Sequence, residues 1–359
     1  MKTIDVFGIK KDQVESYVER DEVDGMFIEA LDTDRQIIVY GASKQGKTSL
    51  VDKYLPYSDN IVVSLTPKYN LVDIYKTVLN SIGVEIIAEV QSSSTKSTEA
   101  SITTKIRAMI PVIGGAEGGA ELKQKKGSQE VIKKEPIDLN LSLPHDVANI
   151  LAKTNNKKKV IILENFHYLE EEIQKEFSFD LRSFLELDVR FVILGVWKEK
   201  NRLIQFNGDL LERLIEVPVE PWEKKDFRRV IKKGEDLLNI EFSDIIKTNI
   251  IESAFDSIGV VQELLKTTCL LSGVKEQCST LTNIDNISNF TNAAAEKAND
   301  YSARHIRALE SIAEGRKTTN NPKSQDPKDM PLYLPYYTVK AFLRFDFDDP
   351  IKNTIEYEL

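Results

Sequence analysis

Gly41-Ala42-Ser43-Lys44-Gln45-Gly46-Lys47-Thr48 sets two glycines five positions apart and follows the second with a lysine and a hydroxyl. Glycines let a backbone curl until successive N–H groups converge, and a helix starting there adds the positive end of its dipole. Converging amides beside an ammonium suit anionic oxygen, above all phosphate. The pattern is G-x-x-x-x-G-K-[ST], whose lysine reaches the β- and γ-phosphates of a nucleotide and whose hydroxyl binds Mg²⁺. Gly41, Ala42, Ser43, Lys44, Gln45, Gly46, Lys47, Thr48 and Ser49 are therefore expected to cradle ATP, with Lys47 on the terminal phosphates and Thr48 on the metal.

Such a site needs an acid on a neighbouring strand to hold the metal. Val160-Ile161-Ile162-Leu163-Glu164 is an apolar strand that ends in a carboxylate, so Glu164 is the expected metal-side acid. Asn165 follows, where a general base would stand. An amide can hold a water but cannot accept its proton. Hydrolysis is then slow, or Glu170 or Glu171 substitutes. His167 has two readings, a sensor of the γ-phosphate or a packed ring.

These residues need a scaffold. RQIIVYGASKQGKTSLVDKYL reads as strand, tight loop and helix, and NIVVSL (60–65), KVIILE (159–164) and RFVILGVW (190–197) read as further strands. Leu71, Ile74, Tyr75, Val78, Leu79 and Ile82 mark one helical face, as do Ile173, Phe177, Leu181, Phe184 and Leu185. Strand and helix alternate without tight hairpins, which predicts an α/β core with a mostly parallel sheet and helices on both faces, closed by LIEVPVEP (214–221). This core is assigned to residues 1–220, interrupted over 88–136 by a Ser/Thr tract, IGGAEGGAE and a Lys-rich run. The interruption reads as a mobile surface insertion. Its other reading is a hairpin or arm carrying Lys123, Lys125, Lys126, Lys133 and Lys134 to DNA or to a neighbouring subunit.

From Pro221 to about 314 the pattern is helical, with Phe227, Val230, Ile231 and Leu238 on one side, and predicts an all-helical lid. Residues 315–359 comprise a polar linker and a segment with Tyr333, Tyr336, Tyr337, Phe342, Phe345 and Phe347, which either folds back or binds a partner.

Composition narrows the classes. Forty-eight Lys+Arg against 57 Asp+Glu give a net charge of -9, which argues against a wholly basic nucleic-acid-coating protein. No apolar run spans a bilayer, no signal peptide is evident, and two cysteines fit a reducing cytoplasm. Three scattered histidines without paired cysteines give a zinc site little support.

Over roughly residues 20–275 the chain resembles the AAA+ and STAND group of P-loop ATPases, particularly the origin-recognition-like and transposition-helper branches. GASKQGKTS is similar to its Walker A, and LENFHYL to its Walker B with Glu164 for Asp and Asn165 for Glu. The resemblance implies an ATP-dependent conformational or assembly switch, a homo-oligomer or partner protein, and VDGMFIEAL (23–31) near the adenine. It also places Arg213, in DLLERL, as an arginine finger reaching the γ-phosphate of a neighbouring subunit. FVILGVWKEKN looks like the sensor strand, without an evident donor except the Trp197 indole. In SIGVVQELLK, Gln262 stands where many relatives carry a second sensor arginine.

Overall fold

The computed structural model describes residues 1–10, 13–90, 104–111, 134–154, 156, 159–197, 201–314, 323–325 and 331–333. Its first half runs α1 (Thr3–Val6), α2 (Asp21–Leu31), β1 (Gln36–Tyr40), α3 (Lys47–Tyr54), β2 (Ile61–Ser64), α4 (Leu71–Ser81), β3 (Glu85–Val90), β4 (Thr104–Pro111), β5 (Lys134–Leu139) and α5 (Pro144–Lys153). Then follow β6 (Ile161–Glu164), α6 (Glu171–Glu186), β7 (Phe191–Gly195), α7 (Arg202–Phe206) and β8 (Leu214–Pro218). The helical part comprises α8 (Lys224–Leu238), β9 (Ile240–Phe242), α9 (Asp244–Glu252), α10 (Ile258–Leu271), β10 (Thr282–Ile284) and α11 (Ile287–Glu314), before β11 (Lys323–Gln325) and β12 (Pro331–Tyr333).

Five strands form a wholly parallel sheet in the order β2-β6-β7-β1-β8. Alternate residues of a strand face opposite ways, and β1 divides accordingly. Ile38 and Tyr40 join the core that α4, α5 and α6 cover with Ile74, Val78, Leu151, Phe177 and Phe184. Ile37 and Val39 join the opposite core, covered by Phe27 and Ala30 of α2 and Leu50 and Val51 of α3. Each fully buried aliphatic side chain contributes roughly 1.5–3 kcal/mol, so both layers hold β1 in place. The α4 start is fixed by a reciprocal cap, Asp73 N–H to Asn70 Oδ1 at 3.0 Å and Asn70 N–H to Asp73 Oδ2 at 3.2 Å.

Three expectations change. The ends of the 88–136 interruption are built into a separate antiparallel sheet, β3-β4-β5, with Glu85 opposite Met109 and Ile106 opposite Leu139. Ala108 and Leu139 are buried against the main core, which the tract's polar composition hides. Lys123, Lys125, Lys126 and Lys133 lie outside the described residues. The helical part is not all-helical, because β9 and β10 pair in parallel between Ile240 and Thr282. Third, Val6, Phe7 and Val18 pack into the helical core with Trp222, Phe227, Val230 and Leu265, so the first residues of the chain belong with the lid. The Thr3 N–H bonds to the Lys275 carbonyl and the Gln277 N–H to the Met1 carbonyl, which ties that segment down.

The polar stretch 315–329 contributes β11, paired antiparallel with β12. Tyr336, Tyr337, Phe342, Phe345 and Phe347 lie outside the described residues. Among the described residues, no helix is long and apolar enough to cross a membrane.

Candidate functional site

The loop between β1 and α3 leaves the sheet at Gly41, whose φ is 147°. A Cβ there would stand 2.7 Å from Val219 Cγ2 and 3.1 Å from Glu220 Oε2, so only glycine lets the chain turn this close to the end of β8. The Ala42 N–H donates to Glu220 Oε2 at 2.8 Å. Lys47 Nζ, at the start of α3, donates to the Gly41 and Ala42 carbonyls at 2.9 and 2.6 Å. Burial pulls the Lys47 ammonium down to about 8, with the Glu220 carboxylate acting against the shift.

The sheet brings Glu164 to this loop from β6, two strands away. Thr48 Oγ1 donates to Glu164 Oε1 at 3.2 Å, and Tyr57 Oη donates to the same oxygen at 2.8 Å. A hydroxyl beside a carboxylate is an oxygen donor set of the kind a hard divalent cation takes. Among the described residues, no group of three or more His, Cys, Asp or Glu is placed to hold a metal, so any such ion would rest on this pair and on ligand oxygens. Tyr57 is held by its own backbone, its N–H bonding to Asp52 Oδ1 at 2.9 Å. Burial first, and then Glu164, raise the Tyr57 phenol and keep it a donor.

Asn165 adopts a left-handed conformation, φ 60° and ψ 33°. Its Nδ2 donates to Ser64 Oγ, at the end of β2, at 3.1 Å. His167 packs beside Tyr168 with ring centroids 4.2 Å apart. Its Nδ1 is buried without a hydrogen-bond partner, and burial, followed by the Lys47 charge, holds the imidazole below its ordinary value. Glu170 and Glu171 are exposed at the start of α6.

Beside the loop is a cavity of about 260 Å³. Ser43 to Ser49 form its floor, and Asn165 and Val196 its sheet side. Gly8, Ile9, Lys10, Val14, Tyr17 and Val18 wall it on one side, and Trp222, Val230, Ile258, Gly259 and Gln262 on the lid side. Residues 23–31, expected near a base, are absent from this wall: Phe27 and Ala30 are committed to the core under the sheet, and Gly8 to Lys10 with Val14, Tyr17 and Val18 line the cavity instead. Lys10, Lys44 and Lys47 line the cavity and no Asp or Glu does, so its interior favours an anion.

The lid is fastened to the loop through Gln45. Its carbonyl accepts the Trp222 indole N–H at 3.3 Å and its Oε1 accepts the Ile258 N–H at 3.3 Å. At Gly259 a Cβ would meet the Lys44 carbonyl oxygen at 3.0 Å and Lys44 Cβ at 2.7 Å. Gln262 is buried and accepts the Gly8 N–H at 3.1 Å while its Nε2 donates to Ser16 Oγ at 2.9 Å. It clamps the N-terminal segment to the lid.

Trp197, the one donor foreseen on the sensor strand, turns back and stacks on Tyr40 at 6.4 Å, its indole N–H buried without a partner. Arg213 stands apart from the cavity. Its carbonyl accepts the Gln36 N–H at 3.0 Å, at the entry of β1, whereas the loop leaves the exit of that five-residue strand. The separation, roughly 16 Å of strand, exceeds what an arginine side chain spans. The sequence thus foresaw Gly41 to Ser49, Glu164 and Asn165 as neighbours, and missed Tyr57 and Glu220, which no motif marks.

No protein-family model and no curated protein matches the sequence. Solved structures do match. A Walker-type ATPase of Pyrococcus abyssi is 13% identical with a TM-score of 0.51, over 85% of this chain and 79% of that one. Aeropyrum pernix ORC1, solved in complex with DNA, is 11% identical over 86% of this chain and 75% of its own, TM-score 0.47. A variant of Thermotoga maritima RuvB is 11% identical over 77% and 69%, TM-score 0.42. With its parallel sheet, glycine loop and helical lid, this chain has the fold of a Walker-type P-loop ATPase.

Proposed function

We propose that the protein binds ATP with Mg²⁺ in the cavity above Gly41 to Ser49 and uses it as a conformational or assembly switch. The observation that carries this reading is the charge layout: Lys10, Lys44 and Lys47 are among the lining residues and no Asp or Glu is, while Thr48 of the lining stands 3.2 Å from the Glu164 carboxylate just outside it. Lys47 and the α3 N-terminus would hold the β- and γ-phosphates, and Thr48 and Glu164 the metal, which neutralises phosphate charge. Gln45 would pass the loop's position to the lid through Trp222 and Ile258. Arg213, remote from its own loop, suits a role in a neighbouring copy, so turnover to ADP and phosphate would depend on assembly.

The experiment is a steady-state ATPase assay across protein concentration. Specific activity that rises with concentration and is lost in Arg213→Ala supports the assembly-stimulated enzyme. Activity independent of both would overturn it.

Asn165 favours a second reading, a nucleotide-gated module with little hydrolysis that recruits an effector or acts in a DNA transaction. Its amide is engaged with Ser64 and cannot take a proton from water. Tight ATP binding without turnover, and none gained in Asn165→Glu, would favour this module.

A further inference from the structure

The chain as a whole is acidic, with 48 Lys+Arg against 57 Asp+Glu, yet Lys224, Lys225, Arg228, Arg229, Lys232 and Lys233 crowd ten consecutive positions of α8. All six are exposed. The helix sorts its other residues inward: Phe227, Val230, Ile231 and Leu238 enter the lid core, and Asp226 and Glu235 are 5% and 3% exposed. Glu235 is occupied there by the Phe242 N–H at 2.8 Å and by Lys247 at 2.9 Å. On the outer face of α8 the one exposed acid is Asp236.

The cations are only loosely engaged. Lys225 pairs with Glu223 at 2.7 Å, Lys232 with Asp236 at 2.9 Å and Arg229 with Asp226 at 3.8 Å, while Lys233 donates to the Tyr17 carbonyl at 2.6 Å. Exposed Glu19 also lies within the field of Lys233 and Arg229. Lys224 and Arg228 have no ion-pair partner among the described residues. Solvent-exposed pairs contribute about 0–1 kcal/mol each, little enough for a denser anion to displace them.

We infer that this face of α8 docks on the phosphate backbone of duplex DNA. From Lys224 to Lys233 the helix rises about 14 Å, the axial length of roughly four phosphates of one strand. Arginine adds bidentate phosphate contacts. A bilayer surface would need exposed apolar residues on the same helix, and those of α8 are in the core. Single strands bind through stacking on exposed aromatics, whereas Phe227 and Trp222 are 1% and 6% exposed. Protein interfaces are depleted of lysine. The major groove of A-form RNA is too narrow and deep for a helix, whereas that of B-DNA admits one. Contacts of this kind position the duplex without reading its sequence. Val230, on the inner side of the same helix, lines the cavity beside the glycine loop, and Lys233 holds Tyr17 of the same wall. One helix therefore carries the DNA face outside and a wall of the cavity inside.

The test is fluorescence anisotropy of the full chain with a labelled mixed-sequence duplex of about 25 base pairs, from 50 to 200 mM salt. Four phosphate contacts predict a log–log slope near -3.6, about a 150-fold loss across that range. The combined variant Lys224→Gln, Lys225→Gln, Arg228→Gln, Arg229→Gln should bind at least about tenfold more weakly at 100 mM and lose most of that slope, with unchanged circular dichroism and melting. Deleting 92–130 should leave the slope intact. An unchanged slope in the fourfold variant overturns the proposal. So does loss of binding on the deletion alone, or tighter binding to duplex RNA, single strands or anionic phosphatidylserine vesicles. Nucleotide affinity, measured separately on the same variant, should be retained, so failure here is distinguishable from failure of the ATP reading.

Discussion

Glu220 Oε2 accepts the Ala42 N–H at 2.8 Å, so a carboxylate beyond the last strand of the sheet secures the opening of the glycine loop. The same carboxylate is the charge that opposes the depression of Lys47 by burial.

Lys47 consequently sets a pH dependence whose sign can be worked out. With the folded value down near 8, against an ordinary 10.5, the folded protein binds fewer protons than the unfolded chain between those values. Its stability should rise with pH across that window, and the penalty of a buried ammonium should be fully present below about 8. A bound polyphosphate raises the lysine again, so ATP affinity should fall as pH climbs above about 8, with proton uptake on binding. Calorimetry in buffers of different ionisation enthalpy reads both effects; Glu220→Gln should move the fall to lower pH.

Tyr57→Phe deletes a donor to Glu164 while keeping the ring. Hydrogen bonds to charged groups contribute about 1.5–3 kcal/mol. We expect the Mg²⁺ concentration for half-maximal nucleotide binding to rise about tenfold or more, with metal-free nucleotide binding nearly unchanged. An equal loss with and without metal would assign Tyr57 to packing alone.

Gly234→Ala should destabilise the protein although it replaces a helical glycine. Its Cβ would stand 1.9 Å from the Phe7 ring, so the N-terminal segment must shift. Overpacking costs about 1–3 kcal/mol, against the roughly 1 kcal/mol alanine gains in helix propensity. Urea denaturation and amide exchange over residues 3–8 check this; a stabilised variant would contradict it.

Gln262→Leu leaves the Gly8 N–H without its acceptor and removes the donor to Ser16 Oγ, whose hydroxyl still bonds to the Val6 carbonyl at 2.6 Å. One unsatisfied buried N–H costs about 1–3 kcal/mol. Faster exchange at residues 8–16 and weaker nucleotide binding should appear together, because that segment walls the cavity.

Legibility in the sequence followed the range of the forces involved. Ile37 to Tyr40, the glycine loop and the α4 face Leu71, Ile74, Tyr75, Val78 are local patterns, and each forms the element its period predicts. Glu164 was legible because a strand end and a motif coincide. The β3-β4-β5 sheet was hidden because its pairings, Glu85 with Met109 for example, span a tract whose composition speaks for solvent. Phe7 gave no hint of its destination, since its partners Phe242 and Leu265 lie more than two hundred positions away. Tyr57 and Glu220 reach the site by folding, with ordinary neighbours in sequence.

The contact of Lys44 with Gly259 gives the lid mechanical leverage. A Cβ added at Gly259 would stand 2.7 Å from Lys44 Cβ and 3.0 Å from the Lys44 carbonyl oxygen, so little room is left there to absorb movement. Gly259 lies at the root of a 14-residue helix, α10, whose length is roughly 20 Å. A displacement of the loop by a fraction of an ångström would be magnified along that arm, and any larger residue at 259 would hold it ajar before a ligand arrived.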